Sequence, residues 1–211
     1  MYELYFYPGN ANLAPHMVLE EIGAPFQLHL VDRDNNAHKS PDYLKLNPRG
    51  LIPVLIDGDL WLHETAAICL HLSDMHPDAK LAPTLGTPER AHFYKWLLLL
   101  ANSVHPEYVG YFYPDRCTTD PVGTAAVKAS SEAKLGGLFD LIDEHLATGP
   151  YMLGETFSLL DLYLWMLVRW GRGMVRPPRI LPNIARLMAL VTERPAVQRA
   201  LASEDLAAPF Y

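Results

Sequence analysis

Between Asn47 and Ile68, residue types able to hold a small peptide-like ligand arrive in a fixed order. Asn47-Pro48-Arg49-Gly50 has the composition of a turn, and Pro53 opens a β-branched and leucine-rich run. That run stops at Asp57-Gly58, the dipeptide favoured in two-residue hairpins. A proline at the first position of a strand has no N–H for the ladder, and Ile52-Pro53 in a tight loop is a candidate cis bond. A cis bond there would turn the backbone of Ile52 outward, free to pair with an extended peptide. Past the hairpin, His63-Glu64-Thr65 precedes Ala66-Ala67-Ile68-Cys69-Leu70, a run of high helix propensity. Glu64 and Thr65 therefore stand at a helix start whose amides lack intrahelical partners, a place that binds a carboxylate.

A scaffold for these groups is legible on either side. Glu3 to Tyr7 alternates and ends at Pro8-Gly9, after which Leu13, Met17, Val18, Glu20, Glu21 and Ile22 run at helical spacing to Gly23, a natural helix stop. Phe26 to Val31 reads as a second strand. Strand, helix and strand in succession demand a crossover and a parallel pair, whereas the Asp-Gly hairpin is antiparallel. The sheet is expected to be mixed and four-stranded. From His76-Pro77-Asp78 to Gly86-Thr87-Pro88 the chain is rich in proline and poor in large apolar residues, which marks a linker. The expected organisation is an α/β domain over residues 1–77, a linker over 78–87 and an all-α domain over 88–211. Within the latter, Thr87-Pro88-Glu89 reads as the start of a long helix through Trp96 and Leu100. Asp120-Pro121 repeats the signal for a second long helix ending near Leu146. Ser158 and Asp161 have the spacing of a capping box for a third.

Bulk properties narrow the partners. The 211 residues are 50% hydrophobic, ample for a packed core, and the formal charge of −7 leaves no footprint for nucleic acid or an anionic membrane. The N-terminus leads straight into a strand pattern with no basic stretch followed by an apolar one, so no signal peptide is visible. The longest apolar run, Trp96 to Ala101, is far too short to span a bilayer. Cys69 and Cys117 lie far apart without a CxxC spacing, which argues against both a zinc site and a dithiol centre. No metal is expected, and a reducing cytoplasm fits best.

The ordered set from Asn47 to Ile68 closely resembles the N-terminal domain of cytosolic glutathione S-transferases, a thioredoxin-like fold. The resemblance extends to Tyr151-Met152-Leu153-Gly154-Glu155-Thr156-Phe157-Ser158-Leu159-Leu160-Asp161, similar to the phrase that caps the central helix of the family's helical domain. Glu193-Arg194-Pro195-Ala196-Val197 is similar to the start of its closing helix. The resemblance implies that glutathione is the co-substrate. Ile52 beside Pro53 would pair with its cysteinyl part, and Glu64 with Thr65 would hold its γ-glutamyl end. His38-Lys39-Ser40-Pro41 resembles the phi-class loop that takes the glycine carboxylate, so Lys39 first and His38 second are carried over. A homodimer and a role in detoxification are also implied.

The residue that activates the thiol departs from the family pattern. Where phi-class transferases have a serine two residues past Pro8, this chain has Asn10; where the bacterial beta class has a cysteine, it has Ala11; where tyrosine-type classes have a tyrosine, it has Phe6. A mixed-disulfide mechanism through a beta-class cysteine is thereby excluded. An amide carries two N–H donors and no acidic proton, so Asn10 or Asn12 could stabilise a thiolate, an arrangement that resembles the nu class. His105 follows Trp96 at the spacing at which a beta-class histidine faces the thiol, though it also precedes Pro106, where a helix bend is the plainer reading.

Tyr108, Tyr111 and Arg116, with Trp165 and Arg169 on the next core helix, form two aromatic and cationic sets. Aromatic stripes at helical spacing usually mean core, but tyrosine and arginine together are costly to bury unpartnered. These residues are therefore assigned to a small hydrophobic or aromatic electrophile. The expected function is transfer of the glutathione thiolate to that electrophile, or its use to reduce a disulfide or peroxide. The alternatives are a non-catalytic glutathione-binding protein and a glutathione-dependent isomerase or β-etherase.

Overall fold

The computed structural model describes residues 1–211. In chain order the elements are β1 (Tyr2–Phe6), α1 (Leu13–Ile22), β2 (Phe26–Leu30), α2 (Pro41–Leu46), β3 (Val54–Asp57), β4 (Leu60–His63) and α3 (Thr65–Met75). There follow α4 (Pro88–Leu99), α5 (His105–Phe112), α6 (Thr124–Leu146), α7 (Leu159–Trp170), α8 (Pro182–Thr192) and α9 (Pro195–Ser203). The chain forms two compact units, one of residues 1–82 with 191–210 and one of residues 83–190 with Tyr211.

In the first unit the four strands make one sheet in the order β2-β1-β3-β4. β1 and β2 are parallel, from Tyr2 opposite Phe26 to Phe6 opposite Leu30, while β3 is antiparallel to both β1 and β4. The mixed, four-stranded sheet is the one expected. Its register sets Leu4 opposite Leu55, both fully buried, and α1 and α3 add Leu13, Met17, Val18, Leu19, Ile68, Cys69 and Leu72 to that core. Each large apolar side chain so buried contributes roughly 1.5–3 kcal/mol. Gly23 ends α1 at φ +66°, its N–H donating to Leu19 O, and Gly58 turns the hairpin at φ +58°.

Two features of this unit differ from the sequence reading. Helix α2 is additional: Ser40 caps it by accepting from the Tyr43 N–H, and Pro41 stands at its first position. Six residues are too few to show helical periodicity. The closing helix α9, assigned to the second domain from its place in the chain, packs on α1. Ala196, Val197, Ala200 and Leu201 are buried in that contact, and ion pairs flank it. Arg194 makes two bonds to Glu21, at 2.5 and 2.9 Å, and Arg199 Nε lies 2.5 Å from Glu20.

The second unit is helical. Thr87 caps α4 by accepting from the Arg90 N–H, and Pro88 occupies its first turn. Between α4 and α5, Leu100–Val104 forms one π-helical segment in which the His105 N–H reaches Leu100 O. Pro106 has no N–H to give to the ladder, and widening the turn just before it lets the helix continue through the proline. Asp120 accepts from the Val122 N–H over a 3₁₀ turn, and α6 proper begins at Thr124. Helix α7 is buried at every position from Leu159 to Arg169. Its capping box is complete: Ser158 Oγ accepts from Leu160 N, and the Asp161 carboxylate accepts from Ser158 N at 2.8 Å and Met152 N at 2.7 Å. No helix is long and apolar enough to cross a membrane.

Candidate active site

The first unit draws the loop after β1, the α2-flanking turns and the start of α3 together. Asn47 organises the turn that leads to Pro53: Gly50 N donates to its carbonyl, Arg49 N to its side-chain oxygen, and its own Nδ2 to Leu51 O at 2.8 Å. Tyr43 donates its hydroxyl to the same Leu51 carbonyl at 2.9 Å. Both lone pairs of that oxygen are thus used, and the chain enters Ile52 in a fixed direction. The Ile52-Pro53 bond is cis. Neither the N–H nor the carbonyl of Ile52 is paired within the protein, because β3 begins its ladder only at Val54.

Glu64 heads α3 at φ +76° and ψ 114°. For a residue with a Cβ this is a strained backbone, worth on the order of 1–3 kcal/mol, and such strain gathers at functional sites. No side chain caps α3, so the first-turn amides face outward beside the Glu64 carboxylate. Arg49 donates to that carboxylate, and His63 Nδ1 lies 3.7 Å from the same oxygen. Arg49 and Glu64 are each more than half exposed, so the pair is weak and open to exchange. Thr65 is buried and donates its hydroxyl to Ala11 O at 3.2 Å, which ties the start of α3 to the loop after β1.

Lys39 lies on a short 3₁₀ turn, Ala37–Lys39, against the Asn47–Gly50 turn. Its ammonium donates to Arg49 O at 3.2 Å and Gly50 O at 2.9 Å. An ammonium has three donors, so one remains for a ligand. His38, half-buried on the same turn, brings its carbonyl to within 2.7 Å of where a Cβ on Gly50 would lie, and Lys39 Nζ comes to within 2.9 Å of that point. With φ at +58°, position 50 is suited only to glycine.

The loop after β1 separates the two asparagines. Asn10 is partly exposed; its Oδ1 accepts from Arg33 at 3.2 Å, and its Nδ2 is not donated within the protein. Asn12 is fully buried, its Oδ1 accepting from Tyr7 N at 3.1 Å and its Nδ2 donating to Glu204 at 2.8 Å. Asn12 is thus tied into the fold through its side-chain oxygen and one N–H, which Asn10 is not. Tyr7 donates its hydroxyl to Asp34 at 2.7 Å, and that bond raises its pKa. Tyr5 stacks on His29 with ring centres 4.9 Å apart, and burial raises its pKa as well. Phe6 is buried and carries no polar atom. Glu204 is the residue that sequence reasoning missed, for it follows α9 and nothing local sets it apart from other surface-type glutamates.

In the second unit, His105 Nδ1 is 2.7 Å from the Tyr163 hydroxyl, and its ring meets Trp170 edge to face. Tyr108 and Trp165, assigned above to a second substrate, belong to the helical core instead. Trp165 is fully buried, and Tyr108 gives its hydroxyl to Leu167 O at 2.6 Å. That bond removes the desolvation cost that argued against burying the tyrosine. Tyr111 is buried beneath Lys128, whose Nζ sits 4.9 Å from the ring centre, and Arg169 is 8% exposed. Arg116 is exposed and stacks on Tyr113. A groove of about 500 Å³ beside α5 and α6 is lined by Glu107, Cys117, Ser131 and Lys134 among others, and by none of the five assigned residues.

Residues 13–75 match the family described as glutathione S-transferase, N-terminal domain, and residues 125–201 match glutathione S-transferase, C-terminal domain. The chain is 33% identical over 207 residues to glutathione S-transferase GstA of Escherichia coli O157:H7, covering 97% of this chain and 99% of that one. Among solved structures, a glutathione transferase homologue from Sulfitobacter with bound glutathione superposes with a TM-score of 0.89 at 29% identity, covering 98% of this chain and 99% of that one. A sphingomonad glutathione S-transferase complexed with glutathione gives 0.84 at 30% identity, covering 97% and 100%.

Proposed function

The chain belongs to the cytosolic glutathione S-transferase superfamily and is an enzyme of that type, and on that premise we propose that its first unit binds glutathione as an extended peptide along Ile52, with the γ-glutamyl end at Glu64 and Thr65. The observation that carries the reading is the strained Glu64 at the uncapped start of α3, in one unit with the unpaired backbone of Ile52. The γ-glutamyl carboxylate would take the first-turn amides of α3, its ammonium would take Glu64 in exchange for Arg49, and the glycine carboxylate would take the remaining donor of Lys39, with His38 beside it.

The thiol then comes to the loop after β1, where Asn10 Nδ2 is the free side-chain donor. Lowering a thiol from about 8.5 by about two pKa units requires about 2.7 kcal/mol of preference for the thiolate. One hydrogen bond to a charged acceptor supplies roughly 1.5–3 kcal/mol, so a single amide suffices. Asn10 cannot exchange its amide proton with sulfur, and it therefore stabilises the thiolate without acting as its base. The thiolate either bonds to an electrophilic carbon of a small hydrophobic or aromatic substrate or opens a disulfide or peroxide. On the strength of family membership the enzyme is proposed to be a cytoplasmic homodimer that needs no metal.

The test is a titration of the protein with glutathione, followed by the ultraviolet absorbance of the thiolate as pH is raised. A bound thiol titrating well below the free value is the expected result. Binding at the free value would favour a non-catalytic glutathione-binding protein, the reading for which the commitment of Asn12 and Tyr7 to structural bonds speaks.

A further inference from the structure

Glu204 is 1% exposed, and its carboxylate collects three donors from one short segment of the chain. Gly9 N reaches Oε2 at 2.8 Å, and Asn12 Nδ2 and His16 Nδ1 both reach Oε1 at 2.8 Å. Burying a carboxylate costs several kcal/mol unless its oxygens are satisfied, and here every donor comes from the loop after β1 or the first turns of α1. Asn12 passes the constraint on by accepting from Tyr7 N. The segment from Tyr7 to His16 is therefore pinned at Tyr7, Gly9, Asn12 and His16. Among the loop donors not given to the protein are Asn10 Nδ2 and the Ala11 N–H.

We propose that Glu204 is a positioning residue for thiolate stabilisation: held in place by α9, it fixes the Gly9–Asn12 loop so that the Asn10 amide and the Ala11 N–H meet the glutathione sulfur. This deepens the function proposed above and rests on it. Glu204 does not touch the ligand. It acts through Gly9 and Asn12, the immediate neighbours of the two donors. Its negative charge would by itself disfavour a nearby thiolate, and three converging donors offset that charge. Arg199 holds α9 on α1 through Glu20 rather than through the loop, so anchoring of the helix and shaping of the loop can be separated by mutation.

The experiment compares the full-length protein with Glu204→Gln and Arg199→Ala, reading the pKa of the bound glutathione thiol together with kcat and KM for a chromogenic aromatic electrophile. A glutamine cannot accept from Gly9 N on one side and from Asn12 and His16 on the other. Glu204→Gln is expected to raise the bound thiol pKa by about one unit, equivalent to roughly tenfold less thiolate, and to lower kcat in proportion. KM for glutathione should stay within about twofold, since the groups proposed for the two ends of the peptide are elsewhere. Arg199→Ala is expected to lower Tm with the thiol pKa unmoved. A Glu204→Gln enzyme whose thiol pKa matches the wild type overturns the proposal, whatever happens to its Tm. Should that variant fail to fold, Asn12→Ser is read in the same way, a raised thiol pKa supporting the proposal and an unmoved one overturning it. A wild-type protein that binds glutathione without any shift removes the proposed function and this role with it, whereas a lowered wild-type value retained in the variants removes this role alone.

Discussion

Arg49 gives its guanidinium to the carboxylate of Glu64, the residue that stands at φ +76° at the head of α3. Because both side chains are more than half exposed, the pair itself is worth about 1 kcal/mol at most. A charged hydrogen bond from the ligand ammonium is worth roughly 1.5–3 kcal/mol. Glu64→Ala is therefore expected to weaken glutathione binding by roughly ten- to a hundredfold, whereas Arg49→Ala, which removes only the group that the ammonium displaces, should change it by less than about threefold. Calorimetric titration distinguishes them. Equal losses in the two variants would place the guanidinium on the ligand.

The two asparagines of the loop after β1 should fail in different ways. Asn12→Ala takes a donor from the buried Glu204 and the acceptor from Tyr7 N, a loss of about 2–5 kcal/mol in stability. Asn10→Ala should change stability by about 0.5 kcal/mol or less while raising the bound thiol pKa by about one to two units. Urea unfolding and the thiolate absorbance measure the two quantities separately. An Asn10→Ala enzyme of full activity would send the search for the donor to the Ala11 N–H.

Gly50 and Gly58 offer a matched pair, both at φ +58°. An alanine at Gly58 meets nothing within 4 Å, whereas at Gly50 its Cβ would lie 2.7 Å from His38 O and 2.9 Å from Lys39 Nζ. Gly58→Ala should show only the left-handed backbone cost of about 1–2 kcal/mol. Gly50→Ala should exceed it and raise KM for glutathione, because the Lys39 turn has to move. If the two variants match in both Tm and KM, the close packing of Lys39 against the turn has no bearing on binding.

The buried capping residue of α7 predicts a pH dependence. Burial pushes the Asp161 carboxyl up to about 7, against the amides of Met152 and Ser158 and the Ser158 hydroxyl, which pull it down. The folded protein thus keeps a proton that the unfolded chain has released near its ordinary value of 3.8. The folded state binds more protons across that window, so this group's contribution is fully present below about pH 4 and is lost as pH rises towards about 7. Asp161→Asn removes the titration. Its stability relative to wild type should improve steadily between about pH 4 and pH 7, and a constant difference in urea midpoint would show that the carboxylate stays ionised throughout.

The parts of the site that lie close together in the chain were readable from it. Pro53 before a β-branched run, Asp57-Gly58 at a hairpin and Glu64-Thr65 ahead of an alanine-rich helix each carry their own local chemistry, and they reappear as cis-proline, β-turn and helix start. The capping box of Ser158 and Asp161 was legible for the same reason. What could not be read depends on contacts between distant segments. Asn10 and Asn12 are the same residue type two positions apart, and only the arrival of Glu204 takes up the Nδ2 of one and not of the other. Tyr108 read as costly to bury without a partner, but the Leu167 carbonyl on a separate helix satisfies it. That α9 would pack on α1 was not legible either, because position in the chain is a poor guide to which surface a helix covers.

The attachment of α9 to α1 also orders events in the life of the chain. Its bonds to Glu20, Glu21, Gly9, Asn12 and His16 join residues between 173 and 195 positions apart. While the protein is being synthesised, the sheet and its first helices leave the ribosome long before Glu204 does. Until then Asn12 and His16 have no carboxylate to meet, and the apolar face of α1 that α9 covers stays wet. A nascent chain can have its strands in register and still lack a finished thiol loop, so translation must pass Glu204 before the glutathione unit can mature.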